Sequence, residues 1–322
     1  MTDDDGPEPT DANRFPSATV IAALDGLTRQ EAGPIRATLA WRLVTGAAAN
    51  PDVHAVLDFA REHELVLACE QTDPAAPNLT WTNPLDGSEM VWIPAGPFVH
   101  GRDGKTAECG GFSLARWPVT NAQYEQFVRA TGYAPPDRHP ENELFLDPWA
   151  EGPPPGKERH PVTWVSLFDA LAYCKWAGAT LPTEWMWEKA ARGADGRPFP
   201  WGEGGFYRGK KLAHHAAADT CEVGRFAHVR SPFGCEELIG NVSEWCFPMP
   251  PHAPVGQFPP HEIPALPPLA GPTQYAVVRG ACYLRGSATA LRANHRRNLS
   301  VTRRNKWVGF RPACLLPVRP AA

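Results

Sequence analysis

No acidic residue follows Glu262, yet ten arginine and lysine side chains do, from Arg279 to Arg319. The C-terminal part is therefore basic although the whole chain carries a formal net charge of -4. That imbalance excludes an acidic face there and directs attention to partners that carry negative charge. The chain also lacks any run near the roughly 20 apolar residues that a membrane-spanning helix needs. Its first residues show no basic segment followed by an apolar run, the pattern of a secretory leader. They are acidic instead, with Asp3, Asp4, Asp5 and Glu8. A cytoplasmic protein without a membrane partner is the expectation. No C-x-x-C pair occurs among the eight cysteines at 69, 109, 174, 221, 235, 246, 282 and 314. Their scatter excludes a zinc ribbon and reads as reduced core thiols.

What is present suits a globular chain with a real core: 43% hydrophobic and 20% charged residues. Residues 1–16 read as a disordered acidic lead. Residues 17–71 read as a small helical unit, because apolar positions such as Val53, Val56 and Leu57 recur at three- and four-residue spacing. This unit is expected to dock another protein. The prolines of residues 72–78 mark a linker.

From residue 79 to 322 the pattern changes to short strands, tight turns and tryptophans. Met90 to Gly101 reads as a strand pair around a Pro-Ala-Gly turn, and Phe112 to Val128 as a strand followed by a helix. Thr120 with Gln123 forms a capping-box signature, and Ser166 with Asp169 marks a second helix start. Leu181 to Gly193 begins a third helix after Pro182 and Thr183, with Trp185, Trp187 and Ala191 as anchors and Gly193 as the stop. Proline crowds the segment from Phe247 to Gln274, which points to a long surface loop. Strands and helices mix without βαβ alternation, so an α+β fold is expected.

Five ordered segments resemble one family. They are MVWIPAGPFVHG (Met90 to Gly101), LPTEWMWEKAARG (Leu181 to Gly193), FPWG (Phe199 to Gly202), GNVSEW (Gly240 to Trp245) and the stretch from Arg279 to the Gly-Phe-Arg at Arg311. Together they are similar to the formylglycine-generating enzyme, or sulfatase-modifying factor, family. The resemblance implies that family's C-type-lectin-like fold. Active members carry two cysteines in a C-x4-C arrangement that bind copper and oxidise a substrate cysteine. Here those positions hold Arg285 and Ala290. Relatives that build carbon–sulfur bonds use an iron site with a His-x3-His-x-Glu pattern, which is absent from this sequence. Copper or iron is therefore not the expected cofactor.

The resemblance also implies a calcium site at GNVSEW, with the Asn241 side chain and the Val242 carbonyl as oxygen ligands. The alternative is that Asn241 ties a turn and Trp245 fills the core. A second, Asn-rich calcium turn of the family has no counterpart in Lys211 to Thr220. The adjacent His214 and His215 do not read as a metal pair, because neighbouring side chains diverge. Cys282 with His295 is the candidate pair for a rearranged oxidoreductase site, although a single thiolate replaces paired sulfur ligands poorly.

The same fold serves the variable proteins of diversity-generating retroelements. Carried over by position, their ligand contacts fall on Leu284, Arg285, Gly286, Thr289, His295, Arg297, Asn298, Leu299, Arg303, Asn305, Lys306 and Trp307. Tyr283 joins them as an aromatic anchor. Ala281, Cys282 and Tyr283 stand where Gly-Ser-Trp is usual, a departure from that pattern. The bland alternative is a solvated arginine-rich face. No nucleic-acid fold motif accompanies the basic run, so nucleic acid is not the expected partner.

The function expected is a non-catalytic module that binds an acidic or polar ligand, or a protein, at the C-terminal groove. It includes the case of a retroelement-diversified receptor. The competing expectation is a metal-dependent oxidoreductase with a rearranged site.

Overall fold

The computed structural model describes residues 80–83, 85–134, 152–203, 212–249, 275–287 and 289–314. The acidic lead, the helical unit, the linker and the proline-rich segment from 250 to 274 lie outside the described residues.

Ten strands and three helices are described. The strands are β1 (Thr80–Thr82), β2 (Glu89–Ile93), β3 (Gly96–His100), β4 (Lys105–Cys109), β5 (Phe112–Ala115), β6 (Ser243–Trp245), β7 (Tyr275–Arg279), β8 (Arg296–Ser300), β9 (Val308–Gly309) and β10 (Ala313–Cys314). The helices are α1 (Asn121–Thr131), α2 (Leu167–Trp176) and α3 (Glu184–Arg192). One four-stranded sheet has the order β1-β2-β5-β10, a second has the order β8-β7-β6-β9, and β3 pairs with β4 alone. The mixture is α+β, as the irregular alternation of the sequence predicts.

Each helix starts where its cap residue satisfies an orphan backbone amide. The Thr120 hydroxyl accepts from the Gln123 amide at 3.3 Å, and the Gln123 side chain accepts from the Thr120 amide at 2.9 Å. Ser166 and Asp169 make the same reciprocal box before α2. Thr183 accepts from the Met186 amide before α3, and Gly193 ends that helix at φ 68°. One expectation fails. β2 and β3 do form on either side of Pro94 and Ala95, but they do not pair with each other. β2 lies between β1 and β5, while β3 runs antiparallel to β4.

Two core clusters organise the domain. Val91, Ile93, Phe98, Phe112 and Leu114 pack with Met186 and Trp187 of α3. Tyr124, Phe127, Leu171 and Tyr173 of α1 and α2 pack with Trp245, Val278 and Phe310. All seven described cysteines are buried, and no disulfide joins any two of them. Burial pushes the Cys109 and Cys235 thiols up to about 11, so these remain protonated packing groups.

Between the clusters lies a buried ionic network that explains several sequence motifs. Glu244 of GNVSEW accepts from Arg311 Nε at 2.7 Å, Arg311 Nη2 at 2.8 Å and the Trp187 indole at 2.7 Å. Arg311 also donates to the backbone oxygens of Ala115, Arg116 and Glu236. Glu188 pairs with Arg279 and with Arg192. Arg279 and Arg311 are 1% and 0% exposed, so the two ends of the basic stretch are structural and do not face a ligand.

Candidate functional site

The C-terminal basic surface is built on the return from β7 to β8. Gly280 opens it in the left-handed region, at φ 71°. A Cβ there would sit 2.9 Å from the Leu238 carbonyl and 3.2 Å from the Trp187 ring, so only glycine fits. The following loop is fixed by its backbone. The Tyr283 amide donates to the Asn241 carbonyl, and the Ala217 and Ala216 amides donate to the carbonyls of Tyr283 and Arg285, all at 2.9–3.0 Å. Asn305 and Trp307 are held in the same way, their carbonyls accepting from Trp164 and Ser243 at 3.0 and 2.9 Å.

Positive charge gathers here. The Arg297 guanidinium lies 4.7 Å from the Trp307 ring centroid, a cation–π contact that orients it. Burial, and then the neighbouring Arg285, pull Arg297 below the usual guanidinium value. The half-buried His295 is pushed below the ordinary histidine value by burial first, then by the charges of Arg297, Arg102, Arg279 and Arg285. Among the described residues no carboxylate pairs with Arg102, Arg285 or Arg297. Their neighbours differ: Arg296 pairs with Glu184 at 2.8 Å, and Arg304 engages Asp169 at 2.9 Å.

The expected contact residues divide into two groups. Leu284, Arg285, Gly286, Thr289, Asn298 and Lys306 are exposed, while His295, Arg297, Arg303, Asn305 and Trp307 are half-buried. Tyr283 is a correction: only 1% exposed, it packs into the fold and is no ligand anchor. Its hydroxyl is pushed up to about 12, by burial first and then by Asp219 and Cys282, so it stays neutral. Leu299 is partly turned into the second core cluster. Cys282 is 1% exposed, which denies a substrate direct access to the thiol.

Arg102 has no local signal in the sequence. It sits in the turn that follows β3, and the Asn294 side chain reaches that turn by donating to the Gly101 carbonyl at 3.4 Å. The contact spans 193 positions, so nothing near Arg102 announces it.

The GNVSEW segment uses its asparagine internally. Asn241 Oδ1 accepts from the Cys221 amide at 3.0 Å, and Nδ2 donates to the Cys221 carbonyl at 3.0 Å and to Glu237 at 2.8 Å. Its carbonyl accepts from Tyr283. With the side-chain oxygen already engaged by a backbone amide, this donor set does not fit the calcium ion that the resemblance implies. Glu237 is pushed up to about 7, mainly by burial, against the hydrogen bonds from Asn241 and Gly224. His214 Nε2 lies 2.8 Å from the Asp219 carbonyl. Among the described residues no group of three or more His, Cys, Asp or Glu side chains converges.

The model of the sulfatase-modifying factor enzyme 1-like domain matches residues 77–315. The chain belongs to that family. Curated relatives include the formylglycine-generating enzyme of Mus musculus, 31% identical over 53% of this chain and 61% of that protein. Another is the hercynine oxygenase of Mycolicibacterium smegmatis, 32% identical over 48% of this chain and 44% of that protein. The serine/threonine-protein kinase Pkn1 of Chlamydia trachomatis is 32% identical over 70% of this chain but 38% of its own length. The chain thus spans about two fifths to three fifths of these relatives. Among solved structures, PvdO from Pseudomonas aeruginosa is matched over 75% of this chain and 99% of its own, at 24% identity and a TM-score of 0.57. Treponema denticola variable protein 1 is matched over 73% and 98%, at 21% identity and 0.51. These two likenesses concern the fold. The sulfatase-modifying factor scaffold is present here with Arg285 and Ala290 where the resemblance places the cysteine pair.

Proposed function

We propose that this sulfatase-modifying factor domain is a binding module that takes an acidic ligand on the basic surface formed by β8 and the loop that joins it to β7. The observation that carries this reading is the Arg297 guanidinium seated on Trp307, with no carboxylate partner among the described residues. Guanidinium forks recognise carboxylate and phosphate in a bidentate way, and arginine and tryptophan dominate energetic hot spots. The buried position of Cys282 and the replacement of the cysteine pair turn the site away from thiol oxidation. The likeness in fold to a variable protein supports use of the same surface for ligand capture.

Calorimetric titration with benzoate, an aromatic monocarboxylate, tests the reading. Replacing Arg285 or Trp307 by alanine is expected to weaken binding about tenfold, Arg285→Ala leaving the unfolding transition in place. Unchanged affinity in both variants refutes the basic surface as the site.

A second reading, an oxidoreductase with a rearranged site at Cys282 and His295, has one observation in its favour: Cys282 lies close enough to Arg297 to influence it. It predicts oxygen consumption with a thiol substrate, abolished in Cys282→Ala.

A further inference from the structure

Apart from the basic surface, the segment before α2 and the loop from Thr220 to Arg225 border an open cavity of about 540 Å³. That volume lies in the range of small-molecule sites, about 300–1,000 Å³. Arg159 and His160 line it from the first segment, and Thr220, Glu222, Gly224 and Arg225 from the loop. It shares no lining residue with β7, β8 or their connection.

The loop is fixed in shape by groups outside it. The Val223 amide donates to the Arg159 carbonyl at 3.0 Å, and Arg159 Nη2 donates back to the Val223 carbonyl at 3.4 Å. The Asn241 side chain bonds both backbone groups of Cys221, and Glu237 accepts from the Gly224 amide at 2.8 Å. His160 Nδ1 lies 2.8 Å from the Thr220 hydroxyl. Asn241 and Glu237 are 0% and 7% exposed, and both stand in the left-handed region at φ 55°. For Glu237 that backbone is strained, and such strain persists where the surroundings over-determine it, as they do at ligand sites. Two buried polar side chains are thus spent on the shape of a loop that faces solvent.

The cavity presents charge of both signs. Arg159, Arg225 and Glu222 all line it, and none of the three has an ion-pair partner among the described residues, each other included. Lys157 and Asp219 nearby, by contrast, pair with one another. A simple anion satisfies the arginines but then lies beside the Glu222 carboxylate, and a simple cation is repelled by the arginines. A ligand with one charge of each sign meets neither penalty. We propose that the cavity takes a small zwitterion of the amino-acid class, its carboxylate on the guanidinium forks of Arg159 and Arg225 and its ammonium group on Glu222. Asn241 and Glu237 act as positioning residues through the loop backbone.

L-Glutamine is the probe, because its uncharged side chain leaves the two opposite charges as the only ones in play. The full chain is titrated calorimetrically near neutral pH with L-glutamine, with its deamino analogue glutaramate and with its decarboxylated analogue γ-aminobutyramide. L-Glutamine is expected to bind about tenfold more tightly than either analogue. Glu222→Gln and Arg225→Ala, both changes at exposed loop positions, are each expected to weaken L-glutamine binding about tenfold without moving the urea midpoint. Glu222→Gln is expected not to weaken glutaramate, which has no ammonium group to lose. Arg285→Ala, on the basic surface, is expected to leave L-glutamine affinity unchanged, so failure of one site is told apart from failure of the other. Equal binding of either analogue, or unchanged L-glutamine affinity in either loop variant, overturns the zwitterion. Loss of L-glutamine binding in Arg285→Ala, or no binding to the native chain, overturns the cavity as the site.

Discussion

Replacing Glu244 by glutamine removes one negative charge from the centre of the fold at almost constant volume. The side chain is 0% exposed and accepts two hydrogen bonds from Arg311 and one from the Trp187 indole. Arg311 is also 0% exposed, and its remaining donors are spent on the backbone of Ala115, Arg116 and Glu236. The guanidinium cannot swing to water without breaking those bonds, so the variant leaves a buried charge without its counter-ion. Losing one partner of a buried pair costs about 3–5 kcal/mol. That is a large fraction of the about 5–15 kcal/mol by which a domain is stable. Urea unfolding followed by tryptophan fluorescence measures it, since Trp187 and Trp245 flank the network. Pairing Glu244→Leu with Arg311→Met is expected to recover much of the loss, because an apolar pair leaves no orphan charge. A loss below about 1 kcal/mol in Glu244→Gln, the scale of a surface pair, refutes the reasoning.

Other outcomes follow from single residues. Gly280→Ala places a Cβ 2.9 Å from the Leu238 carbonyl in a left-handed position, and is expected to cost about 1–3 kcal/mol in the same urea assay. Glu237 has a folded value raised to about 7 from the ordinary 4.5, so the folded state holds its proton longer than the unfolded chain. Its contribution is full below about 4.5 and is lost as pH rises through about 7. Stability measured across that window is expected to fall with pH in the native chain and to flatten in Glu237→Gln. Arg297→Ala is expected to raise the titration midpoint of His295 in NMR by removing the first charge that depresses it. Protein purified without chelators is expected to carry far less than one copper or iron per chain by elemental analysis. Near-stoichiometric copper or iron restores the oxidoreductase reading.

Local chemistry made much of the fold readable. The capping boxes at Thr120 and Ser166 require only residues three apart, so the sequence carries them complete. The Pro-Ala-Gly between β2 and β3 resembles a hairpin turn, yet the partners of β2 are chosen by burial of Val91 and Ile93 against β5 and α3. Such long-range choices leave no trace in the turn. The same reason hides the buried arginines. In sequence, Arg279 and Arg311 belong to a basic run, while their carboxylates, Glu188 and Glu244, stand 91 and 67 positions away. Tyr283 beside Arg285 looks like an exposed anchor until its backbone is locked between Asn241 and Ala217.

The central claim, that the basic surface is an anion site, is tested most directly by titrating benzoate into the native chain and into the Arg285→Ala, Arg297→Ala double variant. The variant is expected to bind at least about a hundredfold more weakly, because two charge-assisted contacts are gone and the fold is untouched. Equal affinities in the two proteins would contradict the account.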